Sequence, residues 1–258
     1  MTDAVVSRRG MIVAGTALGG LLLSGCDRLS QAPEALKFID RAEGVTMRAQ
    51  RLVLSGQPLA KEFKVSDISP TFKANGSLRP SDPSYLAMEQ TGFADWRLTV
   101  GGLVNRPLSL SLDQLKALPN RTQITRHDCV EGWSAIGQWT GPQLGGLLNA
   151  AGLQPHARYV VFHCADNLGG TSDDSGLYYE SIDLFDAFHP QTILAYAMNG
   201  QPLTVPHGAP LRLRVERQLG YKQAKYIMRI EVADRMDHLG GGKGGFWEDR
   251  GYDWYGGI

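Results

Sequence analysis

Short β-type runs alternate with short helical segments over most of this sequence, and this pattern limits the possible folds more than any other feature. Residues 159–164 form an apolar run typical of a buried strand, and residues 211–215 alternate strictly between apolar and basic side chains. A short helix is expected from Ser111 to Leu118, with Ser111 as its N-cap and Pro119 as its stop. Strands interleaved with short helices, without a regular βαβ series, predict an α+β domain of mixed β-sheets. Further strands are expected at residues 95–100, 122–126, 193–198 and 226–232, and helices at residues 142–152, with Pro142 in the first turn, and 182–188.

One cysteine has an unusual setting in residues 126–134. Cys129 is surrounded by charged and aromatic residues, whereas a cysteine kept only for packing normally has apolar neighbours. Asp128 and Glu131 oppose a free thiolate, while Arg126, and His127 when protonated, favour one. A soft metal ion would resolve this conflict by binding the sulfur as thiolate. The segment therefore predicts that Cys129 is a metal ligand, and the alternative is a buried or disulfide-bonded cysteine.

The first residues have the pattern of an export signal. Residues 7–12 contain twin arginines, and the apolar stretch at residues 11–23 is shorter than the roughly 17–25 residues of a spanning helix. Residues 23–26 look like a bacterial lipobox, with Cys26 as the lipidated first residue of the mature chain. The alternative is an N-terminal helix of a cytosolic protein, which several glycines disfavour. We expect twin-arginine export to the periplasm and a lipid anchor in the membrane.

The rest of the chain is long enough for one catalytic domain. We expect a signal peptide at residues 1–25, a linker or N-terminal arm at residues 26–67 and a single domain at residues 68–258. The 26 basic and 26 acidic side chains balance, so no charge excess indicates nucleic acid as a partner. The sequence has no Cys-x-x-Cys-His motif for haem attachment, so electrons would be exchanged with a separate carrier.

The three cysteines limit the possible disulfides. If Cys26 carries lipid, Cys129 and Cys164 remain, and an oxidising compartment would allow them to pair. We expect no such disulfide, because Cys164 lies in the apolar run at residues 159–164 and a metal-bound thiolate is unavailable for pairing.

The cysteine segment also resembles a known family. Residues 126–134, followed by Trp139 and a helix with Leu144, Leu147 and Leu148, resemble the molybdenum-binding segment of the sulfite oxidase and methionine sulfoxide reductase superfamily. In that family the equivalent cysteine ligates molybdenum carried by a molybdopterin. The resemblance extends from about Phe72 to Tyr255. It implies a sulfite oxidase-type molybdopterin-binding fold and molybdenum with molybdopterin as the cofactor.

The resemblance also implies which residues hold the cofactor. A molybdopterin is anionic and needs cationic side chains and free backbone N–H groups. Two segments, residues 207–212 and 220–225, resemble cofactor-contacting motifs, although basic residues on a strand can also be a solvated face. Asn75 could instead be a turn residue beside Gly76, and Cys164 a plain core cysteine. The cofactor-binding residues implied are Asn75, Cys129, Cys164, His207, Arg212, Lys222, Gln223, Ala224 and Lys225.

Four residues are implied in catalysis. Cys129 would supply the single protein thiolate, and Tyr252, with Tyr255 as second choice, would place a phenol near the metal. Glu131 or Asp128 would orient substrate or carry a proton, unless both are surface or supporting carboxylates. Aromatic packing of the C-terminal stretch is the alternative for the tyrosines.

Two departures from the sulfite oxidases favour sulfoxide reduction. Those enzymes place an arginine beside the upstream asparagine to grip sulfite, where this chain has Ala74, and the chain ends where their immunoglobulin-like domain would begin. Both departures resemble the single-domain members typified by the catalytic subunit of the periplasmic methionine sulfoxide reductase. We expect a monomeric oxidoreductase that transfers one oxygen atom with two electrons, acting on a small-molecule or protein-bound oxo substrate, with a membrane haem protein or cytochrome as electron partner. The alternatives are a sulfite dehydrogenase that uses Lys73 or Arg126, or a non-catalytic periplasmic lipoprotein.

Overall fold

The structure is a computed structural model that describes residues 33–53, 58–171 and 176–258. The chain divides into two compact units, residues 1–55 and residues 56–258. In the first unit, helix α1 runs from Pro33 to Val53, within the stretch predicted to be an arm or linker. The predicted signal peptide and Cys26 lie outside the described residues. Among the described helices, none has both the length and the apolar character needed to cross a membrane.

The second unit is built around a five-stranded mixed sheet in the order β2–β1–β11–β5–β6. Strands β1 and β11 are parallel, and the other neighbours are antiparallel. Its core consists of apolar side chains that alternate along the central strands, as the period of two predicts. The strands are β1 (Arg97–Gly102), β2 (Leu108–Ser111), β5 (Tyr159–Asn167), β6 (Leu177–Asp183) and β11 (Ile227–Ala233).

A four-stranded antiparallel sheet, in the order β3–β4–β8–β9, carries the cysteine segment. Strands β3 (Asn120–Asp128) and β4 (Ser134–Pro142) form a hairpin whose loop holds Cys129. Strands β8 (Ala197–Met198) and β9 (Gln201–Pro202) follow at its edge. A separate antiparallel pair, β7 (Ile193–Ala195) and β10 (Arg212–Arg214), packs beside β4. Mixed sheets with short helices confirm the predicted fold class.

Four short helices complete the regular structure. Helix α3 is capped by Ser111, whose hydroxyl accepts a hydrogen bond from the Gln114 N–H, as predicted. The predicted helix from Pro142 begins later, because Pro142 pairs with Asn120 as the last residue of β4. The helices are α2 (Pro83–Gln90), α3 (Leu112–Lys116), α4 (Leu144–Ala151) and α5 (Leu184–Ala187).

Two other sequence predictions were partly wrong. The predicted helix at residues 182–188 is strand β6 as far as Asp183, whose side chain then caps the one-turn helix α5. The predicted strand at residues 193–198 divides at Tyr196, because its halves pair with different strands. The strand propensity of a segment does not indicate that its two halves pair with different strands. The turn at Asn199 and Gly200 is confirmed, with positive φ at both residues.

Candidate active site

A pocket opens where the β3–β4 loop meets segments from the rest of the second unit. Its walls come from five separate segments and one tyrosine: residues 75–77, residues 129–131, Asp166 and Leu168, then Gly220, Tyr221, Gln223 and Lys225, then Trp247 and Tyr252, together with Tyr178. The β3–β4 loop is closed by hydrogen bonds from the Cys129 N–H to the Trp133 carbonyl and from the Gly132 N–H to the Cys129 carbonyl. Gly132 has a φ of 84°, a conformation that a residue with a side chain rarely adopts. Of the predicted site residues, the pocket brings together Asn75, Cys129, Glu131, Gln223, Lys225 and Tyr252.

Cys129 is a nearly buried free thiol at this pocket, only 8% exposed. Burial raises its pKa, and the Glu131 carboxylate raises it further. A hydrogen bond from the Glu131 backbone and a contact from Asn75 Nδ2 to Sγ, at 3.8 Å, act in the opposite direction. Cys164 is also a free thiol, so the expectation of no disulfide between the two is confirmed.

The two acidic residues beside Cys129 have different settings. Glu131 accepts hydrogen bonds from Trp133 Nε1 at 3.0 Å and Lys73 Nζ at 3.2 Å, and these contacts lower its pKa. Asp128 accepts hydrogen bonds from Arg126 Nε at 2.9 Å and Ser134 Oγ at 2.5 Å, and is not among the pocket-lining residues. The charged side chains predicted to set the ionisation of the thiol thus have other partners: Arg126 and Asp128 bind each other, and Glu131 binds Lys73.

Lys225 lines the pocket but has its ammonium group already occupied. Its Nζ donates to the carbonyl oxygens of Asn75 at 2.7 Å, Ser77 at 2.6 Å and Pro206 at 3.0 Å. It makes no ion pair with a described residue, and burial, followed by the Arg212 charge, lowers its pKa to about 7. Lys225 therefore holds the Asn75 loop against the pocket, and the Asp166 carboxyl in the same pocket favours its charged form.

Arg212 is a second buried cation without a carboxylate partner among the described residues. It is 2% exposed, its Nη1 donates to the His207 carbonyl at 3.0 Å and its Nε has no hydrogen-bond partner. Burial and the neighbouring Arg214 lower its pKa to about 9. Arg214, in contrast, binds Glu216 through two nitrogens. The alternative that residues 211–215 present a solvated basic face is wrong, because both arginines are buried.

The aromatic wall comes from the C-terminal stretch. Tyr252, 40% exposed, stacks on Trp247 with ring centroids 5.3 Å apart and meets the edge of Tyr221 at 5.2 Å. All three residues line the pocket, and Tyr255 does not. Of the two tyrosines considered from the sequence, Tyr252 is therefore the one at the site.

Several predicted cofactor residues lie elsewhere. Lys222 is fully buried between Glu180 and Glu248, with Nζ–O distances of 2.5 and 2.6 Å, so it is committed to carboxylates rather than free for an anion. His207 binds the Phe72 carbonyl through Nε2 at 3.0 Å, and Ala224 is buried in the core. Cys164 lines a second cavity beside β5, and burial raises its pKa well above the ordinary value.

The sequence analysis missed Asp166 and misjudged the charge of His127. Asp166 lines the pocket; burial raises its pKa to about 7, and its Oδ1 has no hydrogen-bond partner among the described residues. His127, expected to favour the thiolate, is fully buried behind the pocket-lining Gly220, where an added Cβ would lie 2.6 Å from the His127 ring. Burial and Arg214 lower the pKa of His127 well below the ordinary value. Both follow β-type runs, but nothing in a single sequence shows that their partners come from distant segments.

The site fits an anionic cofactor that carries a soft metal. Cys129 offers one sulfur donor, which suits a soft metal. Neither Arg212 nor Lys225 forms an ion pair with a carboxylate of the described residues, and burial lowers the pKa of both, so an anion bound nearby would stabilise their charged forms. The unpartnered Arg212 Nε adds a donor of the kind that a phosphate or pterin oxygen accepts.

Comparisons with known proteins agree with this geometry. The model of the oxidoreductase molybdopterin-binding domain matches residues 85–239. A protein of Azospira oryzae, provisionally named protein-methionine-sulfoxide reductase subunit YedZ1, is 37% identical over 97% of this chain and 88% of its own length. The protein-methionine-sulfoxide reductase catalytic subunit MsrP of Xanthomonas axonopodis pv. citri is 37% identical over 60% of this chain and 50% of its own length. This chain thus matches about half the length of the MsrP relative.

The sulfane dehydrogenase SoxCD from Paracoccus pantotrophus aligns with 55% of this chain and 39% of its own, at 24% sequence identity and a TM-score of 0.49.

Proposed function

Because the chain belongs to the oxidoreductase molybdopterin-binding family, we propose that it reduces a sulfoxide-type substrate by two-electron oxygen-atom transfer. The observation that carries this proposal is Cys129, a single soft donor in a pocket beside two buried cations, Arg212 and Lys225, that form no ion pair with a described residue. When bound, the molybdenum cofactor supplies the exchange of one oxygen atom together with two electrons. The chain's own residues hold that cofactor, place the substrate and supply protons.

Each pocket residue has a proposed role. Cys129 binds the metal as thiolate, helped by the Asn75 amide and the Glu131 backbone, which lower its pKa against the effect of burial. Lys225 and Arg212 balance the negative charge of the cofactor. The Tyr252 phenol donates a hydrogen bond to the substrate oxygen, and Trp247 provides the apolar wall beside it. Phe72 is not among the pocket-lining residues and packs against Trp139 and His127.

The charges near the pocket favour a neutral substrate over sulfite. Ala74 leaves no arginine beside Asn75, and the two cations that a sulfite dehydrogenase could use are already paired, Lys73 with Glu131 and Arg126 with Asp128. Holding an anion in a dry pocket without a dedicated cation costs on the order of 2–5 kcal/mol. A sulfoxide needs only one or two hydrogen-bond donors and an apolar wall.

Sulfoxide reduction should therefore exceed sulfite oxidation when both are measured on the same preparation. The measurement compares kcat/KM for the two substrates with artificial electron donors and acceptors, at equal molybdenum content. Lys73→Gln should leave kcat/KM nearly unchanged for both substrates if Lys73 serves only as the partner of Glu131. Fast sulfite oxidation that falls in Lys73→Gln would instead establish the sulfite dehydrogenase alternative.

Removal of either buried cation should weaken cofactor binding more than turnover. In Arg212→Ala and Lys225→Ala the apparent affinity for the cofactor should fall about 10–100-fold, because supporting groups around a metal site have effects of that size. Elemental analysis of molybdenum per protein and activity per bound molybdenum separate the two effects. Arg229→Ala, which removes an exposed arginine of β11 paired with Glu231, is the matched control. Full occupancy in both test variants would show that these cations serve the fold alone.

We also propose a periplasmic location and a membrane haem protein as the electron partner. The relatives are named as a subunit and a catalytic subunit, which supports a separate partner. The twin arginines and the lipobox pattern at residues 23–26 support export and lipid anchoring.

Changing both Arg8 and Arg9 to lysine should retain the precursor in the cytoplasm. Labelled palmitate should mark the wild type and not Cys26→Ala. Fractionation and label counting give the readout. A wild type that is exported but carries no label would contradict the proposed lipid anchor and would still support twin-arginine export. A wild type without bound molybdenum would instead support a non-catalytic lipoprotein.

A further inference from the structure

A buried trio of charged residues lies behind the aromatic side of the pocket. The Lys222 ammonium contacts Glu180 Oε1 at 2.5 Å and Glu248 Oε1 at 2.6 Å, and all three side chains are almost completely removed from water. One positive charge cannot balance two buried carboxylates, and an uncompensated buried charge is strongly unfavourable. The trio is electrically neutral only when one of the two carboxyl groups carries a proton.

The surroundings of the two carboxyl groups favour Glu180 as the group that holds the proton. The Tyr178 hydroxyl donates to the Tyr221 carbonyl, and its oxygen lies 3.5 Å from Glu180 Oε2. A proton on Glu180 Oε2 would face this hydroxyl oxygen, which can accept a hydrogen bond while its own hydrogen binds the Tyr221 carbonyl. A proton on Glu248 Oε2 would find no acceptor, because that atom has no hydrogen-bond partner among the described residues.

Burial also favours the protonated form of Glu180. Removal from water raises the pKa of Glu180 well above its ordinary value, although Lys222 opposes this effect, and the charge of Glu248 raises it further. The titratable groups that face the Glu180 carboxyl are Lys222, Glu248 and Tyr178, with Cys164 and Tyr179 at longer range. Of these, Lys222 alone favours the ionised form.

Tyr178 joins this trio to the pocket. Its side chain is among the pocket-lining residues, as is Tyr221, whose carbonyl accepts its hydroxyl hydrogen. Rotation of the phenol hydrogen about its C–O bond would redirect it from this carbonyl to an acceptor in the pocket. The Glu180 proton would then replace the one that Tyr178 gives up.

We propose that Glu180 is the store of a proton that passes through Tyr178 to the substrate oxygen during reduction. The inference rests on the proposed sulfoxide reduction, which consumes two protons. The sulfur–oxygen bond breaks, two electrons from a one-electron carrier restore the sulfur lone pair, and the oxygen leaves as water. Glu180 supplies one of the two protons and regains it from solvent; the other comes from solvent through the open side of the pocket. Glu180 acts through Tyr178, so it is a positioning and proton-storing residue, and Tyr178 is the group that contacts the substrate.

Infrared spectroscopy of the cofactor-loaded protein tests the stored proton without an assay. At a pH well above the raised pKa of Asp166, so that Asp166 is ionised, the wild type should show the carbonyl stretch of a protonated carboxylic acid, shifted in heavy water, and Glu180→Gln should lack this band. Glu131→Gln, which changes an exposed pocket carboxylate, is the matched control and should keep the band. A band that survives in Glu180→Gln would overturn the assignment of the proton.

Kinetics test the transfer. With a reduced viologen dye and a methyl sulfoxide at equal molybdenum content, Glu180→Gln and Tyr178→Phe should lower kcat about 10–100-fold with little change in KM. Wild-type kcat should fall as pH rises through the raised pKa of Glu180, and Glu180→Gln should lose this dependence. Tyr179→Phe removes a neighbouring phenol that binds Asp249 outside this pocket, and should keep the wild-type profile.

Two results would overturn the inference. If the wild type reduces sulfoxides while both variants keep its rate and pH profile, the proton route is wrong and the proposed function stands. If the wild type does not reduce sulfoxides, the proposed function fails, and the route fails with it even where the infrared band is present.

Discussion

Cys129→Ala should reduce oxygen-atom transfer by well over 100-fold and abolish the charge-transfer absorption of a metal-bound thiolate. Loss of groups that only support a metal ligand costs about 10–100-fold in activity or affinity, and loss of the ligand itself should cost more. The fold should survive, because the hairpin loop is closed by backbone hydrogen bonds that alanine keeps. Visible absorption, molybdenum content and turnover are measured on the same sample.

Cys164→Ala is the matched control for this experiment. It removes the other described thiol, which is buried on β5 beside the second cavity and not at the Cys129 pocket. The control should keep the charge-transfer absorption. Full activity and unchanged absorption in Cys129→Ala would end the proposal that this cysteine binds the metal.

Lys222→Met should give the largest loss of stability of any substitution considered for this chain. It leaves the Glu180 and Glu248 carboxyls buried without a cation, and breaking a buried ion pair in this way costs about 3–5 kcal/mol. For a domain of this size the melting temperature should fall by roughly 6–20 °C. Thermal unfolding of cofactor-loaded protein, followed by circular dichroism, measures the change.

Lys243→Met is the matched control, since the Lys243 side chain is exposed in the same C-terminal region. The comparison also decides between two interpretations of Lys222. A cofactor ligand would lose molybdenum at nearly normal stability, whereas the observed geometry predicts lost stability first. An unchanged melting temperature together with lost molybdenum would restore the interpretation drawn from the sequence.

The parts of the site that could be predicted from sequence are those whose chemistry is local. Cys129 stands out because its charged and aromatic neighbours are adjacent in the chain, and Ser111 because a helix cap is a short-range pattern. The setting of Lys222 could not be predicted, for the opposite reason. Its counter-ions, Glu180 and Glu248, belong to other segments of the chain. No local sequence pattern indicates that they contact Lys222.

The strands show the same contrast: the sequence pattern predicts that a segment is a strand, but not which distant segments it contacts. Alternation at residues 211–215 correctly predicted a strand, but the burial of Arg212 and Arg214 depends on Trp139, which both guanidinium groups contact. The split of residues 193–198 between two pairings likewise depends on β4 and β10, whose positions are set by the whole fold. Periodicity reports the conformation of a segment, and its partners remain a property of the assembled domain.

The distribution of the pocket walls along the chain has a consequence for biogenesis. Asn75 lies near the beginning of the second unit, Cys129 follows in the hairpin, and Trp247 and Tyr252 are synthesised after both. Chains emerge from the ribosome from the N-terminus onward, so the sheets can form before the aromatic wall exists. A cofactor could meet the Cys129 side while the pocket still lacks that wall. Synthesis of Trp247 and Tyr252 would then close the pocket over a cofactor that is already bound.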